Sequence, residues 1–120
     1  MPDRAALIRS IKVGDIFHAD CPNGASLVCL ATKTTDTIIY ARRLLVPEDL
    51  EFDRTTGLMR ATRHHCPIDS IAPLPPDIRE VIENLDYRYN YGPKPVDTKF
   101  SKAEFKALVF LDNHYRANPI

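Results

Sequence analysis

Turn-forming residues divide the first two thirds of the chain into short apolar runs, and this spacing limits the folds that the sequence can adopt. The clearest turn is Asn23-Gly24 in "PNGA", the dipeptide most typical of a two-residue β-hairpin. In "KVGDIFHADC", just before it, side chains alternate as they do on a strand with two different faces. One face would hold Phe17, Ala19 and Cys21, and the other Ile16, His18 and Asp20.

Three further runs continue this pattern. "SLVCLATK" is apolar enough to be a strand buried on both faces, and "TIIYARRLLV" is rich in β-branched and aromatic residues. "LEFDRTTGLMRAT" predicts a second hairpin, in which Gly57 supplies the positive-φ position. A strand-rich part at about 13–74 is therefore expected, preceded by a short helix from residue 3 to about 10.

The apolar period becomes helical from residue 76. "PDIREVIENLDYRY" places an apolar stripe at spacings of three and four, and Ser101 with Glu104 forms the capping box of a second helix. The predicted buried stripe of this last helix is Phe105, Leu108, Val109, Leu111 and Tyr115. The sequence thus predicts an α+β fold within one domain, residues 1–120. A small antiparallel barrel or strongly curled sheet of the SH3-like or OB-like kind would be followed by a helical part at about 76–117.

Charge and composition restrict the partners of such a domain. Sixteen basic residues balance sixteen acidic ones, which argues against wholesale binding to nucleic acid or to an anionic membrane. No apolar run is long enough for a membrane-spanning helix or a signal peptide. The three cysteines have no close-paired spacing, so we expect reduced thiols, a cytoplasmic location and, for Cys29, a place in the core.

Two His–Cys clusters, "FHADCP" and "TRHHCP", raise the question of a metal or thiol site. The candidate ligands are His18, Cys21, His65 and Cys66, but they lack the tight spacing of a zinc signature. A cysteine nucleophile would also need an oriented histidine, and the sequence does not specify whether Asp20 or Asp69 fills that role. We therefore predict no cofactor, no metal and no catalytic residue. A metal- or thiol-dependent enzyme using His18, His65 and Cys66 is the third hypothesis.

Aromatic residues in the helical part suggest a contact surface instead. "DYRYNYG" interleaves three tyrosines with Arg88 and Asn90, and Phe110 lies off the buried stripe of the last helix. Tyr87, Tyr91 and Phe110 are the candidate interface residues, although the sequence leaves open whether they pack against the domain itself. The first hypothesis is a non-catalytic module that binds a protein partner or a second copy of itself.

An RNA- or single-strand-binding barrel, with or without nuclease activity, is the second hypothesis. Its candidate residues are Arg42, Arg60, Arg63 and His64, which alternate between the two sides of the sheet. "VGDIFHADCPNGA" resembles the opening of the MazF/PemK toxin ribonucleases, which begin a small barrel with a Gly-Asp strand and a Pro–Gly turn. Those proteins continue with an Arg-Pro pair where this chain has Ala25 and Ser26, so the resemblance implies no role for any residue.

Overall fold

Five antiparallel strands form one curled sheet in the computed structural model, with a short helix before it and two longer helices after it. The structure describes residues 3–22, 24, 26–46, 48–60, 66–92 and 99–120. The elements are α1 (Arg4–Arg9), β1 (Ile16–Asp20), β2 (Ser26–Thr34), β3 (Ile38–Arg43), β4 (Asp49–Asp53), β5 (Ile68–Ser70), α2 (Pro76–Tyr91) and α3 (Lys102–Ala117). The predicted fold class, a curled antiparallel sheet followed by two helices, is confirmed.

The strand order β4-β3-β2-β1-β5 shows that successive hairpins build most of the sheet and that β5 returns to pair with β1. Residues 57–60 then hydrogen-bond to both edge strands of the sheet, β4 and β5. The Arg60 amide donates to Glu51 in β4, and the Ile68 amide of β5 donates to the Gly57 carbonyl. The half-barrel is therefore bridged by a segment that is not itself a regular strand.

Gly57 is needed where this segment meets α1. Its φ is +74°, and a Cβ at this position would lie 2.5 Å from the Cδ1 atom of Ile8. A side chain here would meet both left-handed backbone strain and the buried Ile8. The glycine predicted at the exit of this hairpin thus also allows α1 to pack on the sheet.

Alternating residues of the strands fill two separate apolar clusters. We call the first the inner face: it is lined by α1 and includes Ile8, Phe17, Ala19, Cys29, Ile39, Phe52 and Ile68. We call the second the helix face: it lies between the sheet and helices α2 and α3 and includes Ile16, Leu44, Ile82, Ala107, Leu111 and Tyr115. The predicted alternation along β1 is confirmed, because Phe17 belongs to the inner face and Ile16 to the helix face.

The rotation of α3 differs from the prediction. The capping box of Ser101 and Glu104 is present, but the buried residues are Ala107, Leu111 and Tyr115. Phe105 is 62% exposed and Val109 is 46% exposed, so both were wrongly placed in the buried stripe. The helix packs through the small side chain of Ala107. A stripe chosen by hydrophobicity alone passes over such a small residue, and this is why the predicted rotation of α3 was wrong.

The third strand also ends earlier than predicted. It stops at Arg43, and Leu45 adopts a left-handed backbone conformation with φ +69°. The Leu45 amide donates to a carboxylate oxygen of Asp86 at 2.7 Å, which holds this turn against α2. Among the described residues, no helix is both long enough and apolar enough to cross a bilayer.

Candidate functional site

The cysteines of the two His–Cys clusters form a disulfide, Cys21–Cys66, between the end of β1 and the residues that lead into β5. The prediction of reduced thiols was therefore wrong for this pair. Local spacing could not reveal the bond, because the two cysteines are 45 residues apart and meet only when β5 pairs with β1. Cys29 is fully buried, as predicted, and burial raises the pKa of its thiol to about 12.

His18 is the centre of a hydrogen-bonded chain next to this disulfide. Its Nδ1 atom lies 2.5 Å from Oδ1 of Asp69, and its Nε2 atom is hydrogen-bonded to the hydroxyl of Ser26. The imidazole is buried, whereas Ser26 is exposed. The order Asp69–His18–Ser26 is the arrangement in which a carboxylate orients an imidazole that can accept a proton from a hydroxyl.

Strand register explains how these three side chains meet. In the β1–β2 hairpin Asp20 pairs with Ser26 and His18 with Val28, so His18 and Ser26 are diagonal neighbours. On the other side of β1, the pairing with β5 shifts between His18 and Ala19. Asp69 lies at this irregularity, between the paired residues Ile68 and Ser70.

Tyr115 of α3 covers the imidazole. The two rings are stacked, with centroids 5.0 Å apart and an interplanar angle of 20°. Tyr115 is only 2% exposed, and its hydroxyl has no hydrogen-bond partner within the part of the chain that the structure describes. Burial raises the pKa of Tyr115 well above its ordinary value of 10.0, so the phenol is a neutral donor.

Both Ser26 and Tyr115 line a pocket of ≈ 280 Å³ on the helix face. Apolar side chains from the sheet and both long helices form most of its wall, including Val28, Leu44, Ile82, Leu108 and Leu111. The other polar residues of the wall are His18, Arg43 and Asp112. A mainly apolar cavity with a few convergent polar groups has the composition expected of a small-molecule site.

The basic residues predicted from the sequence do not form a free positive cluster among the described residues. Arg42 makes a two-pronged salt bridge to Asp86, with nitrogen–oxygen distances of 3.0 and 2.7 Å. Hydrogen bonding to Asp86 raises the pKa of Arg42, so the guanidinium is firmly charged but already neutralised by its partner. Arg60 is exposed. Arg63, His64 and His65 lie outside the described residues.

The three aromatic candidates differ in exposure. Tyr87 and Tyr91 are both 65% exposed and contact each other, with ring centroids 5.3 Å apart. Phe110 is only partly exposed and stacks on His114 with a centroid distance of 5.1 Å. Phe105 and Val109, one helical turn apart on α3, are exposed instead. Each long helix thus presents one exposed apolar pair.

Sequence reasoning assigned no functional role to Ser26 or Tyr115. A two-residue turn at Asn23-Gly24 would pair Cys21 with Ser26 and put Ser26 on the face opposite to His18, whereas the structure pairs Asp20 with Ser26, so the predicted turn could not have found this neighbour. Tyr115 reaches His18 only because of how α3 packs on the sheet. Asp69 reaches His18 through the irregular pairing of β1 with β5. The described residues contain no group of three or more potential metal ligands.

Comparisons with known proteins add no assignment to this geometry. No protein-family model, curated protein or solved structure matches the chain.

Proposed function

We propose that the chain is a small module that binds a protein partner, either a different protein or a second copy of itself, through a surface that is itself non-catalytic. The single observation that supports this function is the exposure of two apolar pairs on the long helices, Tyr87 with Tyr91 and Phe105 with Val109. Tyrosine and phenylalanine are enriched in protein interfaces because they bury much apolar area at a small entropy cost. Their exposure is therefore better explained by contact with another surface than by a role in this domain.

The helices under these side chains are tied to each other and to the sheet by several contacts, which suits a binding surface. A salt bridge of 2.8 Å joins Arg88 of α2 to Glu104 of α3, and the rings of Tyr89 and Phe100 are in edge contact. The Asp86 carboxylate further ties α2 to Arg42 of the sheet. Little ordering entropy would be lost when such helices bind a partner.

The predicted basic candidates do not favour a nucleic-acid ligand. Arg42, one of the two that the structure describes, is already neutralised by Asp86 and is not free to release counterions from phosphates. We also do not retain the cytoplasmic location in this proposal, because the Cys21–Cys66 disulfide favours an oxidising compartment.

Site-specific photo-cross-linking tests the proposal directly. A photoreactive phenylalanine analogue is placed at Tyr87 or at Phe105, and a control at Glu51, which is exposed on β4. We expect covalent adducts, with a second copy or with another protein, from positions 87 and 105 but not from position 51. Equal adduct yields at all three positions would refute the proposal, as would the absence of adducts at 87 and 105.

Solution mass then distinguishes the two kinds of partner. A dimer by light scattering that dissociates on Tyr87→Ser with Phe105→Ser would identify self-association through these helices. A monomer at every concentration, combined with adducts at position 87 or 105, would identify a different protein as the partner.

A further inference from the structure

We propose that Ser26, His18, Asp69 and Tyr115 form an acyl-transfer site that hydrolyses small uncharged carboxylic esters. Ser26 would be the nucleophile, His18 the general base, Asp69 the residue that positions His18, and Tyr115 the donor to the carbonyl oxygen. This activity goes beyond partner binding and uses the helix-face pocket rather than the exposed helix residues.

The hydrogen bonds of His18 fix the proton positions that this chemistry needs. A carboxylate can only accept hydrogen bonds, so Asp69 accepts one from the Nδ1–H group and leaves the lone pair of Nε2 directed at the Ser26 hydroxyl. Stacking on Tyr115 holds the ring in this orientation. The imidazole is thus held as the tautomer that can remove the hydroxyl proton of Ser26.

Tyr115 supplies an independent indication that the pocket takes a ligand. A buried hydroxyl without a hydrogen-bond partner has lost its bond to water and gained none in return, which is unfavourable. The Tyr115 hydroxyl is in this state among the described residues, and the side chain lines the same pocket as Ser26. The hydroxyl oxygen itself is closed to solvent in the free protein, so a substrate carbonyl would accept this hydrogen bond after a small shift of the pocket wall, and the bond would strengthen as negative charge develops on the oxygen.

The pocket wall defines the substrate class. Its apolar residues favour a hydrocarbon acyl group, and ≈ 280 Å³ restricts that group to a short one. Arg43 and Asp112 are the charged residues of the wall, one cation and one anion, so neither sign of substrate charge is favoured. A neutral short-chain ester fits the apolar wall, the small volume and the lack of a favoured charge.

The reaction has two balanced halves. Ser26 Oγ attacks the carbonyl carbon while its proton passes to His18 Nε2, and collapse of the tetrahedral intermediate breaks the bond to the alkoxy oxygen. His18 returns the proton to the leaving alcohol. Water then attacks the acyl-serine with His18 accepting its proton, and the proton returns to Ser26 as the carboxylic acid leaves.

Two measurements on the full chain test the site. The protein is incubated with diisopropyl fluorophosphate and its peptides are analysed by mass spectrometry, and hydrolysis of p-nitrophenyl butyrate is followed by absorbance. We expect the phosphoryl group on Ser26 and ester turnover that falls to the uncatalysed rate in Ser26→Ala. In Tyr115→Phe we expect kcat to fall about 10²- to 10³-fold with KM little changed, as for loss of one oxyanion donor.

Matched controls separate catalysis from folding and from general serine reactivity. Ser10→Ala removes an exposed serine whose hydroxyl bonds only to the Leu7 carbonyl, so labelling and turnover should match those of the wild type. Asp69→Asn should slow labelling of Ser26 at least about ten-fold, because the imidazole loses its orienting acceptor. Should Ser26→Ala not fold, the labelling of the wild type alone decides.

Either of two results would overturn the proposal. The first is a wild-type protein in which diisopropyl fluorophosphate leaves Ser26 unmodified. The second is ester hydrolysis at the same rate by the wild type and by folded Ser26→Ala.

Discussion

The inner face and the helix face are built from alternate residues of the same strands, yet they differ in chemistry. The inner face is filled by apolar side chains and closed by the disulfide, with Phe17 packed edge-on against Phe52. The helix face contains both hydrogen-bonded networks described above, one around His18 and one around Asp86. The inner face thus holds apolar contacts and the disulfide, and both buried polar networks lie on the helix face.

This difference follows from what covers each face. The inner face is covered by its own curl and by α1, which contributes the apolar side chain of Ile8, so polar atoms there would find few partners. Helices α2 and α3 cover the other face with long side chains, which leave a pocket and supply acceptors such as Asp86. A sheet whose two long helices both lie on one side can therefore hold buried polar groups there without weakening its core.

The largest effect is expected from shortening an inner-face side chain. Phe17→Ala should lower the free energy of unfolding by about 3–5 kcal/mol, because Phe17 is fully buried and its removal leaves a cavity. Urea unfolding followed by circular dichroism measures this change. Val13→Ala, at a residue that is 59% exposed, is the control and should change stability by less than about 0.5 kcal/mol. A loss below about 1 kcal/mol for Phe17→Ala would show that apolar packing on the inner face contributes little to the free energy of unfolding.

Loss of the disulfide should have the next largest effect. The double variant Cys21→Ala with Cys66→Ala should be less stable by about 2–4 kcal/mol, because the bond closes a long loop in the unfolded chain. Dithiothreitol should lower the melting temperature of the wild type and leave that of the double variant unchanged.

The remaining cysteine provides the control for this experiment. Burial holds the Cys29 thiol protonated, with its pKa near 12, so iodoacetamide should not modify it in the folded protein. Equal sensitivity of the wild type and the double variant to dithiothreitol would contradict the assignment of the bond.

The smallest predicted effect is a gain in stability, and it comes from a residue of the helix face. Tyr115→Phe should raise the free energy of unfolding by about 1 kcal/mol, because it removes a buried hydroxyl without a partner among the described residues and keeps the ring. Thermal unfolding of both proteins at one pH provides the comparison. A loss of stability would show that the hydroxyl has a structural partner, and would count against a hydroxyl kept for a ligand.

The sequence predicts the elements of this fold better than their mutual contacts. Alternation along Phe17 and Ala19 and the capping box of Ser101 are local signals, and both are matched by the structure, whereas Asn23 of the predicted turn lies outside the described residues. The exposed side of α3 was wrong because Ala107, not Phe105, makes the close contact. The exact sites of contact between distant segments, Asp69 with His18 and Cys66 with Cys21, depend on an irregular strand pair that no local pattern encodes.

The hydrogen bonds of residues 57–60 have a consequence for how another protein could approach. An open sheet edge invites an extended peptide to add as a further strand, and it also promotes aggregation. Here Glu51 of β4 and Ile68 of β5 already bond to this segment, so these edge positions are occupied from within the chain. At these edge positions an extended peptide therefore cannot add as a further strand.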